Sequence, residues 1–308
     1  MPDALQAVLA AAAPASASIL LAAMGGAVNR QGGIVNVGLE AKMLVGAFVA
    51  VICGAATSSS ALGALAAAAA GALVGSAFSL VVTRLGANEI VAGLGLNLAA
   101  VGLFGYLLPV VFGVSATLSP PGLVGLPLLR IPLLDAVPFL GPVLSGHDPL
   151  TYVSWMVVPL TWLLLYRTTW GVSLRATGAD EEAARAAGIR TLLLRDLSTA
   201  WAGALAGLAG AQLSLGLVQL FNKQMTGGRG FIALAAFYFG DARPGLTALA
   251  ALVFGVFEAA SFRLQGGELA PQLVQMLPYL AVVASLLVVG ARRRRLRRRR
   301  ELTPEPGR

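Results

Sequence analysis

Apolar residues in this chain run in long blocks instead of alternating with polar ones. Blocks of roughly 20 recur at 5–27, 35–53, 61–82, 90–112, 151–166, 196–218, 245–263 and 271–291. A helix rising about 1.5 Å per residue needs about 20 residues to cross about 30 Å of hydrocarbon, so each block predicts a membrane span. A shorter run, FIALAAFYF at 231–239, lies between two glycine-containing loops and predicts a half-helix or a short crossing. The fold class predicted is an all-α integral membrane protein, a polytopic bundle of about 8–9 transmembrane helices.

Composition agrees, with 57% hydrophobic and only 12% charged residues in 308, far from the usual soluble range. The opening MPDALQ has no Lys or Arg, so it lacks the basic start of a cleaved signal peptide, and the first span is expected to stay in the mature protein. Short cytoplasmic loops collect Lys and Arg. The run ARRRRLRRRR after the last block predicts a cytoplasmic C-terminus, with 292–308 a disordered basic tail. Arg167, Arg175, Arg185, Arg190 and Arg195 place 167–195 on the same side, as do Arg30, Lys42 and Arg84 for their loops. The segment 113–150, rich in Pro and Gly, has only Arg130, Asp135, His147 and Asp148 as ionisable groups and reads as an external loop. Nine crossings would leave the N-terminus outside and eight would bring it in. The tail's charges each contribute about 1 kcal/mol of attraction to anionic headgroups, so membrane lipid is their expected partner; no aromatic or domain signal points to nucleic acid.

Cys53 and His147 are the only residues of their kinds, which excludes an internal disulfide and a His/Cys metal cluster. No phosphate-cradling G-x-x-x-x-G-K-[ST] string and no nucleophile elbow occurs. The chain is therefore expected to hold no catalytic residues, no metal and no cofactor.

One polar stretch interrupts the apolar chain: TGADEEAARAAGIRT, 177–191. Asp180 is placed as an N-cap, Glu181 and Glu182 stand in the first turn where the helix dipole favours anions, and Glu181 precedes Arg185 by four. Gly188 supplies the stop. Two turns are too short to be stable alone, so this helix must dock on something. Ala183, Ala184, Ala186 and Ala187 would let a partner surface approach closely, with Glu182 and Arg185 offering polar contacts.

A transport path needs a few polar groups on an apolar wall, and ionisable groups at a span's centre are costly. The candidates are Asn36, Glu40, Asn88, Asn97 and Gln212. Asn36 and Asn88, each preceding an apolar run, also suit helix caps at the membrane surface. Asn97 sits deeper, where an amide bonds a neighbouring helix or lines the path. Glu258 falls near the outer surface if there are nine crossings. Glycines at 93–97, 203–216 and 227–230 permit close helix contact and broken helices, and 225–244 is the stretch expected to carry non-helical backbone near the path.

The segment EAARAAG (182–188) resembles the EAA-x-x-x-G signature of permease subunits of ABC importers. GGIVNVGLEAKMLVGAFVAV (32–51) resembles the NIGLEGQMLLGA block of the permeases serving ribose, simple sugars, nucleosides and branched-chain amino acids. GANEIVAGLGLN (86–97) and MTGGRGFIALAAFYFGDARPGLTALAALVFG (225–255) resemble the family's next blocks, in the same order and spacing. Ala41 and Lys42 stand where the family usually has Gly-Gln, and the stretch after Gly188 lacks the Ile-x-Leu-Pro ending of the fuller motif. Lys42 would add a charge at the cytoplasmic start of its span.

The resemblance implies a transmembrane permease subunit, residues 1–291, with a cytoplasmic coupling segment at about 168–195. Asp180, Glu181, Glu182, Ala183, Ala184, Arg185 and Gly188 would contact an ABC ATPase subunit, where ATP-Mg would be hydrolysed. A second permease subunit and an extracytoplasmic substrate-binding lipoprotein would complete the assembly in the cell membrane. The blocks look most like nucleoside permeases, with simple-sugar permeases close by, and imply alternating access. The alternative is an ion-coupled secondary transporter, which would place paired acidic groups deep in the spans.

Overall fold

The computed structural model describes residues 2–132 and 141–264, together with residue 280. Among these, seven helices are long and apolar enough to cross a membrane. The span expected at 271–291, apart from residue 280, the tail 292–308 and Asp135 lie outside the described residues.

Helices α1 (Pro2–Gln31), α2 (Leu39–Thr57), α3 (Ser60–Ser79) and α4 (Glu89–Phe112) come first. A two-residue strand β1 (Thr117–Leu118) follows, then α5 (Pro149–Arg167), α6 (Thr169–Ala179) and α7 (Glu181–Ala186). Helix α8 (Thr191–Ala211), strand β2 (Phe221–Asn222), α9 (Arg229–Phe239) and α10 (Pro244–Leu264) complete the fold. Wider π-helical turns extend α3 through Leu80–Arg84 and α8 through Gln212–Val218. Caps set several boundaries: Asn88 accepts the amides of Ile90 and Val91 to start α4, and Asp148 accepts that of Thr151 to start α5.

Helices α1, α2 and α8 are innermost, each about two-thirds buried over its apolar window, whereas α4 is 22% buried and presents its apolar side outward. Close approach is built from glycine. Gly71 and Gly75 of α3 face Gly203 and Gly207 of α8, and a Cβ at Gly203 would overlap the Gly71 carbonyl. A Cβ at Gly210 would likewise overlap the Met43 carbonyl of α2. Without a hydrophobic drive inside lipid, such small-residue contacts are what van der Waals packing between spans depends on.

The second span begins later than its apolar block. Residues 32–38 are non-helical, and α2 starts only at Leu39, after Gly38, which gives no side-chain cap. Apolarity alone cannot distinguish a buried connector from a helix. In the stretch 225–244, most residues prove helical as α9; the irregular backbone lies to either side, at 219–228 and 240–243. With 11 residues, α9 reaches about 16 Å, half of a bilayer's hydrocarbon.

The ends of the helices sort onto two faces. Gln31 and Gly33 sit beside Gly178 of α6, Arg84 pairs with Asp196 of α8 at 2.8 Å, and Gln31 donates to the Ala242 carbonyl at 3.1 Å. One face thus gathers 30–33, 84–88, 167–195 and 240–243. The other carries β1 paired antiparallel with β2, with Thr117 opposite Asn222, and the segment leading to α5. Helix α1 runs from that second face to the first.

Candidate functional site

The polar helix α7 forms as its residues predict. Asp180 Oδ1 accepts the Ala183 amide at 3.0 Å. Gly188 takes a left-handed φ of 81°, and the Ile189 amide turns back to the Ala184 carbonyl at 3.1 Å. Glu182, Ala183, Arg185, Ala186, Ala187 and Gly188 are exposed on the face described above. Ala184 is not: it is 5% exposed and faces the bundle, because a six-residue helix lying on a surface must turn one side inward.

Glu181 fastens this helix. Its carboxylate accepts from Arg185 one turn along (2.7 Å), from the Arg195 guanidinium on α8, and from the Thr191 hydroxyl at 3.4 Å. Partial burial raises the Glu181 carboxyl, but the charges and hydrogen bonds of Arg195 and Arg185 outweigh it and leave the group below the ordinary carboxylate range. Arg195 Nε donates in turn to the Gly32 carbonyl at 3.1 Å. A displacement of α7 therefore acts on the first turn of α8 and on the connector 32–38 through one arginine.

That connector leads into a buried polar network. The Asn29 amide donates to Thr199 at 2.7 Å, Asn36 donates to Asn29 at 3.0 Å, and Lys42 Nζ donates to Asn36 Oδ1 at 2.5 Å. Lys42 is fully buried, with its ammonium 4.2 Å from the centre of the Phe78 ring. It makes no ion pair with any described residue. The expectation of a surface charge at a span's start is thus corrected: the late start of α2 carries Lys42 inside. Asn36 is likewise a network residue and not a cap, whereas Asn88 is a cap, on the exposed start of α4.

Glu40 and Asn97 hold neighbouring backbone. Asn97 accepts the Ala41 amide at 3.0 Å and donates to the Val37 carbonyl at 3.1 Å, tying α4 to the start of α2. Glu40 accepts the amides of Gly228 (2.8 Å) and Gly230 (2.7 Å) at the beginning of α9. Glu89 receives the Val35 amide at 2.9 Å. Gln212, fully buried in the π-helical turn, donates to Asp148 at 2.9 Å and to Thr151 at 3.1 Å, joining α8 to α5 near the second face.

Two further groups complete the buried polar set; of their residues only Glu258 was weighed for the path from the sequence. Arg229 and Glu258 form a buried ion pair between α9 and α10, with Arg229 also donating to the Met225 carbonyl at 2.8 Å. Glu258 is 6% exposed, so the carboxylate is enclosed by protein at whatever depth it lies. Residue spacing could not reveal the partner 29 positions away. Asp148 sits between Thr151 and Gln212, and only its place before Pro149 signalled a cap. Among the described residues no group of His, Cys, Asp and Glu is arranged to hold a metal.

The family model described as "branched-chain amino acid transport system / permease component" matches residues 8–287. A nucleoside ABC transporter permease protein of Lactococcus lactis subsp. cremoris is 32% identical over 285 residues, covering 88% of each chain. A putative glucose ABC transporter permease protein of Haloferax volcanii is 29% identical, with 90% of each chain covered. A guanosine ABC transporter permease protein of Bacillus subtilis is 29% identical, with 88% of each covered. No solved structure gives a significant match. With a bundle of apolar spans, a short polar helix fastened to it and a family match over most of its length, the chain belongs to the branched-chain amino acid transport system permease family, as a multi-pass membrane subunit of an ABC importer.

Proposed function

We propose that this subunit carries a nucleoside or a simple sugar across the cell membrane by alternating access, driven by ATP hydrolysed in a partner ATPase docked on α7. The solute class rests on the relatives, two of them described as nucleoside or guanosine permeases and one as a glucose permease. The observation that carries the coupling role is the fastening of an otherwise exposed α7 to α8 and to the 32–38 connector through Glu181 and Arg195. Asp180 and Gly188 shape the helix; Glu182, Ala183 and Arg185 offer the contact surface, and Ala184 seats it.

The face bearing α7 is assigned to the cytoplasm, because Arg30, Arg84, Arg167, Arg175, Arg185, Arg190 and Arg243 collect there; the basic charge of 292–308 assigns the C-terminus to the same side. A second permease subunit and a substrate-binding lipoprotein complete the assembly. Asn36, Glu40 and Asn97 act on the path by positioning the connector, α2 and α9, and Gln212 by joining α8 to α5. Asn88 serves as the cap of α4.

Glu182→Lys, or Gly188→Leu, in the transporter reconstituted with its ATPase tests the coupling. Hydrolysis persisting while uptake falls, with normal membrane insertion, is the expected outcome. Wild-type uptake with normally coupled ATPase in both variants would overturn the assignment of α7. Uptake that survives ATP removal and collapses with an ion gradient would replace the importer reading with ion-coupled transport.

A further inference from the structure

On the α7 face, α1, α5, α6, α9 and α10 enclose a recess of about 960 Å³. Arg30, from the last turn of α1, Arg175 of α6 and Arg243, just before α10, line it, against one carboxylate among the described residues, Asp241. Tyr238, Tyr166 and Trp162 complete its wall. Arg30 lies 5.8 Å from the centre of the Tyr238 ring, and Arg175 lies 4.7 Å from that of Tyr166. Arg175 Nε is spent on the Leu165 carbonyl at 3.1 Å, whereas a guanidinium held over a ring keeps its remaining N–H groups able to bind a phosphate.

Two of the helices that line the recess, α5 and α10, have apolar outer sides. Leu246, Leu249, Val253 and Val256 are exposed along α10, and Met156, Leu160 and Leu163 along α5. Trp162, half exposed, and Leu246 form the rim where these sides meet the recess. Arginines gathered at the helix ends and apolar flanks leading away from them match the two parts of a phospholipid, headgroup and acyl chain. Basic pockets between spans are known sites for anionic headgroups.

We propose that this recess binds the phosphate of an anionic phospholipid headgroup, with Arg30 and Arg243 as the principal contacts and the acyl chains lying along α5 and α10. The proposal is independent of which solute is transported. The basic tail offers diffuse attraction to the same lipids, whereas the recess offers one defined equivalent.

The full-length chain in non-ionic detergent is titrated with phosphatidylglycerol or with phosphatidylcholine of the same acyl chains, and bound lipids are counted by native mass spectrometry. One tight equivalent of phosphatidylglycerol is expected. Each basic residue near a membrane surface contributes about 1 kcal/mol, so Arg30→Gln with Arg243→Gln should weaken that equivalent about 30-fold. Arg30→Lys with Arg243→Lys should retain most of it. If the paired Gln variant does not fold, the single variants carry the test, each with an expected loss of about fivefold. Equal binding of phosphatidylcholine, or unchanged binding in the Gln variants, would overturn the proposal. Displacement of the lipid by glycerol phosphate or inorganic phosphate at matching affinity would give the site to a soluble phosphate and overturn the lipid assignment.

Discussion

Glu40, at the start of α2, accepts the backbone amide of Gly230 at 2.7 Å and so closes the N-terminal end of α9, 190 residues further along the chain. Its other oxygen takes the amide of Gly228 at 2.8 Å. A broken helix in a membrane leaves its first N–H groups without partners, and a carboxylate there satisfies both the hydrogen bonds and the dipole.

Glu40→Ala should therefore destabilise the protein by about 3 kcal/mol, and Glu40→Gln, which keeps one acceptor, by about half of that. Thermal unfolding in detergent measures the effect, and uptake should fall in the same order. An unaltered midpoint in Glu40→Ala would show that α9 does not depend on this contact.

Lys42 and Asn36 make an asymmetric pair. Removing the acceptor leaves a buried ammonium without its hydrogen bond, whereas replacing the ammonium with an apolar side chain of similar length removes the buried charge and leaves only the neutral Asn36 Oδ1 without a donor. Asn36→Ala should destabilise by about 3 kcal/mol, and Lys42→Met by about 1 kcal/mol. The double variant should resemble Lys42→Met. A larger loss from Lys42→Met than from Asn36→Ala in the same denaturation assay would reverse this account.

The hold of Glu181 has a defined dependence on pH. Its folded carboxyl lies below the ordinary value, so the stabilisation is present above the unfolded value of about 4.3 and is lost only as pH falls through the folded one. Coupling of ATPase to uptake should not vary through this group between about pH 6 and pH 8. Glu181→Gln should loosen α7 throughout that range, seen as faster hydrogen exchange at 181–189. Exchange that matches wild type would mean that α7 is held by other contacts.

Glycines separate into two sets by what surrounds them. At Gly203, Gly207 and Gly210 an added methyl would meet the carbonyls of Gly71, Ala67 and Met43, and each change to Ala should force α8 away from α3 or α2. At Gly95, Gly102 and Gly105 of α4 nothing lies within 4 Å, so Ala should be tolerated and can add up to about 1 kcal/mol of helix propensity. Yields of folded protein from the two series should diverge sharply.

Helices were legible wherever apolar length alone specifies them, and α7 was legible because its caps and its internal ion pair are local. Residues 32–38 were not, since a connector buried among spans is as apolar as a span. The fates of Lys42, Glu40, Gln212 and Glu258 depended on partners 6, 190, 64 and 29 positions away. Hydropathy ranks the cost of burying each of them but does not name what offsets it. Helix α6 was hidden for a different reason: its 11 residues are too mixed in polarity to resemble either a span or a docking helix.

The non-helical residues 32–38 are gripped at one end by Arg195 and joined at the other to α2, whose first turn holds α9 through Glu40. Between those ends Glu89 holds the Val35 amide, Asn29 holds Asn36 and Asn97 holds the Val37 carbonyl, so the connector has no slack. A shift of Gly32 would therefore be shared with α1 and α4 on its way to α2 and α9, in a push as much as in a pull.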